Sequence, residues 1–194
     1  MHMLTEIYSQ AEGVEKTIEG NRQNVEKVVE RIEARGGIDF VLIIGRGTSD
    51  NAANYAKYLF GIVNGLPVAL AAPSLMNLYA TPMELKRAMV ISISQSGETD
   101  EVVSASKFAK EQGAFCLAIS NEKDSSLTKV CDATLLCLAG QEQSIPATKT
   151  YTGELAALCL LSFSLAKDEQ LQKELSALPS QLEETIERLD PLIA

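Results

Sequence analysis

The stretch Met89-Val90-Ile91-Ser92-Ile93-Ser94-Gln95-Ser96-Gly97-Glu98-Thr99 changes character at its midpoint, and that change decides the fold. Its first half is apolar on consecutive rather than alternate positions, as in a strand covered on both faces. Its second half is small and polar around one glycine. A segment with Val102, Val103, Ser106 and Ala109 on one helical face follows at once. The order is strand, polar turn, helix, and it recurs along the chain. Apolar runs at Val41–Ile44, Pro67–Ala71, Phe115–Ile119 and Ala133–Leu138 alternate with helical patterns at 50–63, 99–112 and 148–166 and with short helices near Leu75–Tyr79 and Ser126–Val130. Asn64-Gly65 and Gln112-Gly113 supply the left-handed helix stop that glycine permits. Such alternation predicts right-handed crossovers and a parallel sheet with helices on both faces.

The expected α/β architecture is a three-layer αβα sandwich with a five-stranded parallel sheet, similar in plan to flavodoxin. Outward from it, Val14, Ile18, Val25, Val28, Val29 and Ile32 recur at helical spacing, with Glu15, Lys16, Glu19, Glu26, Lys27, Glu30 and Arg31 on the other face. They predict one long amphipathic N-terminal helix that ends at Gly36-Gly37 and packs on this domain or on another subunit. In the tail, Leu171, Leu175, Leu178, Leu182, Ile186 and Leu189 form a helical stripe that Pro179 should break. The predicted organisation is a helical segment over 1–38, the α/β domain over 39–167 and a helical connector over 168–194.

Length and charge narrow the function classes. A chain of 194 residues, 46% hydrophobic, suits one domain and buries about 70% of the surface its unfolded form exposes. With 17 Lys and Arg against 26 Asp and Glu, the net charge is −9 and no basic run is present, which argues against nucleic-acid and anionic-membrane partners. Cys116, Cys131, Cys137 and Cys159 lie in or beside apolar runs without C-x-x-C spacing, as buried thiols of a reducing cytosol do. No signal peptide and no membrane-length apolar run is visible, so a cytoplasmic protein is expected. The single histidine, His2, sits in Met1-His2-Met3, which has the look of a cloning remnant. No metal site is suggested.

In an open parallel sheet, ligands bind beyond the carboxyl ends of the strands. The turn after the first strand is Gly45-Arg46-Gly47-Thr48-Ser49-Asp50. It lacks a third glycine at Asp50, the second strand ends in Ala71-Ala72-Pro73 without an acidic residue, and no G-x-x-x-x-G-K occurs, so neither a dinucleotide nor an ATP cofactor is expected. Gly45 and Gly47 instead let backbone approach a ligand, with Thr48 and Ser49 at a helix start that favours an anion. Either hydroxyl alone could be an ordinary N-cap. The turn after the third strand is denser, with Ser94, Gln95, Ser96, Gly97 and Thr99 offering hydroxyls, an amide and backbone N–H groups. Together the two turns predict a cradle for a dianionic phosphate built from neutral donors and helix ends. A third polar turn, Gln141 to Thr150, can close over it.

In that order, Gly45-Arg46-Gly47-Thr48-Ser49, Ser94-Gln95-Ser96-Gly97-Glu98-Thr99 and Ala147-Thr148-Lys149-Thr150 resemble the sugar isomerase (SIS) domain, and most closely the first of the two SIS halves in the glucosamine-6-phosphate synthase isomerase region. The resemblance runs from about Glu6 to Pro179. It implies that Ser94, Ser96 and Thr99, with backbone at Gln95 and Gly97, grip a sugar phosphate. It further implies that Gly47, Thr48 and Ser49 line the pocket, that Gln95 reaches sugar or phosphate, and that Ile145 and Ala147 face the sugar. Ala147 stands where the synthases have a serine, and Ser144, Pro146 and Tyr151 bring the chain nearer to stand-alone two-SIS deaminases and deglycases.

Aldose–ketose interconversion needs a base that moves a proton between C1 and C2. In the family this resembles, a glutamate base, a ring-opening histidine and a lysine lie in the second SIS half or its tail. The expectation is therefore a phosphosugar-binding half of an isomerase or aminotransferase-type enzyme acting on hexose or amino-sugar 6-phosphates. Its catalytic residues would lie in a second SIS domain beyond 168–194, and its assembly would be a homodimer. Two alternatives are a single-SIS oligomeric isomerase with Glu98, Glu142 or Glu154 as base, and a phosphosugar-sensing module. Each of those glutamates also reads as a first-turn helix charge or a solvated face.

Overall fold

The computed structural model describes residues 2–144 and 146–193. Two helices, α1 (His2–Tyr8) and α2 (Gln10–Ala34), lead into β1 (Phe40–Gly45), α3 (Thr48–Asn64), β2 (Val68–Leu70), α4 (Pro73–Asn77), β3 (Ala88–Ile93), α5 (Asp100–Glu111), β4 (Phe115–Ser120), α6 (Ser126–Val130), β5 (Ala133–Leu136), α7 (Lys149–Ala166) and α8 (Glu169–Ile193). All four strand pairings are parallel, in the order β2-β1-β3-β4-β5. Leu70, Ile43, Ile91, Leu117 and Ala133 lie in one row across the sheet.

The pleat sends alternate side chains into two separate cores. Val41, Ile43, Met89, Ile91, Ile93, Phe115, Leu117 and Ile119 face α2, α3 and α7. Leu42, Ile44, Val90, Cys116 and Ala118 face α4, α5 and α6. Each fully buried Val, Ile or Leu contributes about 1.5–3 kcal/mol, and β3 and β4 are buried at every position. The consecutive apolar runs follow from this double coverage. Asn21 on α2 adds a polar tie to the sheet: its Nδ2 donates to Leu136 O at 2.7 Å and its Oδ1 accepts from Leu136 N at 2.9 Å.

The expected amphipathic N-terminal helix is α2, which carries the whole stripe from Val14 to Ile32; Ser9 (φ −88°, ψ 3°), whose hydroxyl donates to Glu6 O, separates it from the shorter α1. Two expectations are corrected. The second strand is three residues long and forms an exposed edge, since β1 covers only one of its sides. Pro179 does not break the tail, and α8 runs through it. The missing N–H and the ring clash cost about 3 kcal/mol in a helix interior. Leu175, Leu178 and Leu182, packed on the α2/α7 core, hold the helix on both sides of the proline.

Candidate functional site

The strand order reverses between β1 and β3, and at such a switch point the two crossovers leave toward opposite faces and open a crevice. A pocket of about 190 Å³ sits there. It is lined by Arg46, Thr48 and Ser49 after β1, Ile93 to Ser96 and Thr99 after β3, and Ala147 and Glu154 before and on α7. Wider grooves along α2, α7 and α8, along α4 and α5, and along α2 and the start of β5 have no comparable convergence of strand ends.

The loop after β3 is folded by its own side chains. Ser94 is buried; its Oγ lies 3.2 Å from Thr99 Oγ1 and accepts from Gly97 N at 3.1 Å. Gly97 takes φ +65°, open to glycine at no steric cost, and a Cβ there would stand 2.1 Å from Ser125 Oγ. Its carbonyl accepts from Leu127 N, and Gln95 O accepts from Asn121 N, so the loop is pinned to α6 and to the end of β4. Ser96 Oγ accepts from Glu98 N at 3.3 Å. On the β1 side Gly47, at φ +60°, is itself the N-cap of α3. Thr48 and Ser49 are therefore the first two helical residues and point their hydroxyls elsewhere than a cap. Nor do Thr99 and Thr148, the cap residues of α5 and α7, make a side-chain cap bond.

The third turn is held from two directions. Glu6 on α1 accepts from Gln143 N at 2.5 Å and from Ser144 N at 3.2 Å. Glu142 accepts from Thr148 N and Oγ1 at 3.2 and 2.8 Å and from Thr150 N at 2.9 Å, and it also bonds Thr150 Oγ1. Glu98 takes Ser126 N and Oγ at 2.8 and 2.6 Å, which hold its carboxyl below the ordinary value and cap α6. Glu98 and Glu142 are thus structural carboxylates at helix starts.

Glu154 differs, and the solvated-face reading does not hold for it. It is 2% exposed, accepts from Ser49 Oγ at 2.8 Å through Oε1, and has no hydrogen-bond partner for Oε2. Burial raises its pKa to about 7 against the bond from Ser49, and the charge of Glu142 pushes it the same way. A usable signal was in the sequence: Glu154 is the only charged residue between Lys149 and Lys167, in a helix otherwise apolar on every side.

Of the residues expected at the site, Thr48, Ser49, Ser94, Gln95, Ser96, Thr99 and Ala147 line this one pocket. Gly47 and Gly97 shape its two turns. Ile145 lies outside the described residues. The four cysteines are buried free thiols, and burial lifts Cys116 to about 12. Among the described residues no cluster of three or more His, Cys, Asp or Glu could hold a metal, and no helix is long and apolar enough to cross a membrane.

A doubly wound sheet with a hydroxyl-rich pocket at its switch point defines the class: an open α/β domain whose strand-end turns bring loop backbone and side-chain hydroxyls to one crevice. Residues 39–163 match the SIS domain, and the chain belongs to that family. It is 36% identical over 191 residues to the glutamine–fructose-6-phosphate aminotransferase (isomerizing) of Thermococcus kodakarensis, covering 93% of this chain and 31% of that protein. Among solved structures, a provisionally designated phosphosugar isomerase from Silicibacter pomeroyi DSS-3 superposes with TM-score 0.91 at 33% identity, covering 95% of this chain and 56% of that one. The C-terminal domain of glucosamine-fructose-6-phosphate aminotransferase from Francisella tularensis follows at TM-score 0.79 and 25% identity, covering 100% and 57%. The chain spans about a third of the length of the curated relatives it matches.

Proposed function

We propose that this SIS domain binds the phosphate of a hexose or amino-sugar 6-phosphate and works as one SIS half of an aldose–ketose isomerase or aminotransferase-type enzyme. The observation that carries the reading is the convergence of Thr48, Ser49, Ser94, Ser96 and Thr99 on one pocket at the switch point. Neutral donors there suit a phosphate in a chain of net charge −9. The homology to glutamine–fructose-6-phosphate aminotransferases supports the choice of ligand class. In this reading Ser94, Ser96 and Thr99, with backbone N–H groups at Gln95 and Gly97, hold the phosphate. Thr48, Ser49, Gln95 and Ala147, which line the rest of the pocket, face the sugar. A second SIS domain supplies the base, the protein is a cytoplasmic homodimer, and no cofactor takes part.

Calorimetric titration with glucose 6-phosphate, fructose 6-phosphate and glucosamine 6-phosphate, with the unphosphorylated sugars as controls, tests the ligand. Saturable binding that needs the phosphate is expected, and binding of none of the three esters refutes the reading. Turnover of fructose 6-phosphate by these 194 residues alone would overturn the assignment of the base to a second domain.

A further inference from the structure

Glu154 is a buried carboxyl on the wall of a pocket whose other functional groups are mostly hydroxyls and amides. Its Oε1 is occupied by the Ser49 hydroxyl, and its Oε2 is buried without a partner. An ionised carboxylate there, itself buried, would set a second negative charge in the same pocket as a phosphate ester, and the low dielectric around a buried group makes like charges costly. A neutral carboxyl has no such repulsion, and its one O–H can be placed on Oε2, directed at an acceptor oxygen of the ligand.

We propose that Glu154 is a proton-linked ligand contact: binding of the phosphate ester takes one proton from solvent onto Oε2, which then donates a hydrogen bond to the ligand. This deepens the phosphosugar reading and rests on it. The surroundings favour the neutral form. Glu142, in the loop before α7, adds negative charge, and Cys137 after β5 is a fully buried thiol that burial keeps protonated. The Ser94 and Ser96 side of the pocket presents nothing that titrates, and Thr17 of α2 meets the helix at Gly153. Arg46, the cation on the pocket wall, is paired with Glu101 at 3.0 Å. On its own helix, Lys149 lies toward Gly140. With Glu154 raised to about 7, the free protein at pH 8 holds the competent protonated form in about one molecule in ten.

The experiment is isothermal titration of the full chain with fructose 6-phosphate at pH 8, in two buffers of different protonation enthalpy. There the phosphate is already a dianion and releases no proton of its own. Wild type is expected to take up about 0.9 proton per ligand bound, and Glu154→Gln, a neutral isostere, none. Glu154→Gln should bind about tenfold more tightly than wild type at pH 8 and about equally at pH 6. Zero uptake by wild type overturns the proposal, and this outcome does not depend on the variant folding. Equal uptake in both proteins also overturns it. Absence of binding by every phosphate ester refutes the phosphosugar reading itself. Binding without a proton difference refutes only the role of Glu154.

Discussion

Replacing Gly97 by Ala tests how tightly the loop after β3 is specified. The new Cβ would lie 2.1 Å from Ser125 Oγ, 2.5 Å from Ser125 Cβ and 3.0 Å from Ser120 Oγ. Ser125 cannot step aside cheaply, because it is buried at the N-cap of α6 and its hydroxyl accepts from Thr128 N. Overpacking of this kind costs about 1–3 kcal/mol. Residue 97 also holds φ +65°, which costs a non-glycine residue roughly 1–2 kcal/mol. The two together give a loss of about 2–5 kcal/mol, and at about 2–4 °C per kcal/mol for this chain length the melting temperature should fall by roughly 5–20 °C. Scanning calorimetry reads the stability, and titration with fructose 6-phosphate reads the loop, since Gly97 N also donates to Ser94 Oγ. In the Gly97→Ala background, Ser125→Gly should recover the overpacking share and leave the backbone share. An unchanged melting temperature with unchanged binding would refute the claim that this backbone geometry is what shapes the cradle.

Other outcomes follow from single contacts. The folded pKa of Glu154, about 7, lies above its unfolded value, so stability declines as pH rises from that value through 7. Glu154→Gln should therefore be more stable than wild type at pH 8, by up to about 3 kcal/mol less any loss at the Ser49 bond, with the gain vanishing near pH 4 in urea titrations. Asn21→Ala strips the partners from the N–H and C=O of Leu136 and should cost about 2–3 kcal/mol by chemical denaturation, with no change in ligand contacts. Pro179→Ala restores an N–H inside a continuous helix and should raise stability by about 1–3 kcal/mol. A fall in melting temperature for Pro179→Ala would mean that α8 is not continuous there.

Much of this architecture is legible in the sequence because β1, β3 and β4 lie under helices on both faces, so that their apolar residues fall on consecutive positions, with Ser92 of β3, bonded to Ser106, the one polar residue inside a run. Their polar ends, at Gly47-Thr48-Ser49 and Ser94 to Thr99, converge for a topological reason that the alternation of elements already contains. What stayed hidden depends on contacts between distant segments. The edge position of β2 is fixed by strand order, which no local pattern encodes. Pro179 obeys the local rule for breaking helices until Leu175, Leu178 and Leu182 dock on the α2/α7 core. Glu154 stands out in the sequence as the lone charge between Lys149 and Lys167, but that pattern does not say what the side chain packs against. Its burial is decided by the packing of α7 against α2 and α3.

The clasp of Glu6 on the third turn ties the start of the chain to a loop well past its middle. Amides of Gln143 and Ser144 sit in an irregular loop, where hydrogen exchange would ordinarily be fast, yet both donate to a carboxylate carried on the first helix. Their protection against deuterium is thus a reporter of whether α1 is docked, 137 residues away along the chain. For protein engineering the consequence is practical: a tag or fusion partner that undocks α1 would free the turn leading to Ala147 on the pocket wall, and faster exchange at Gln143 and Ser144 would report it.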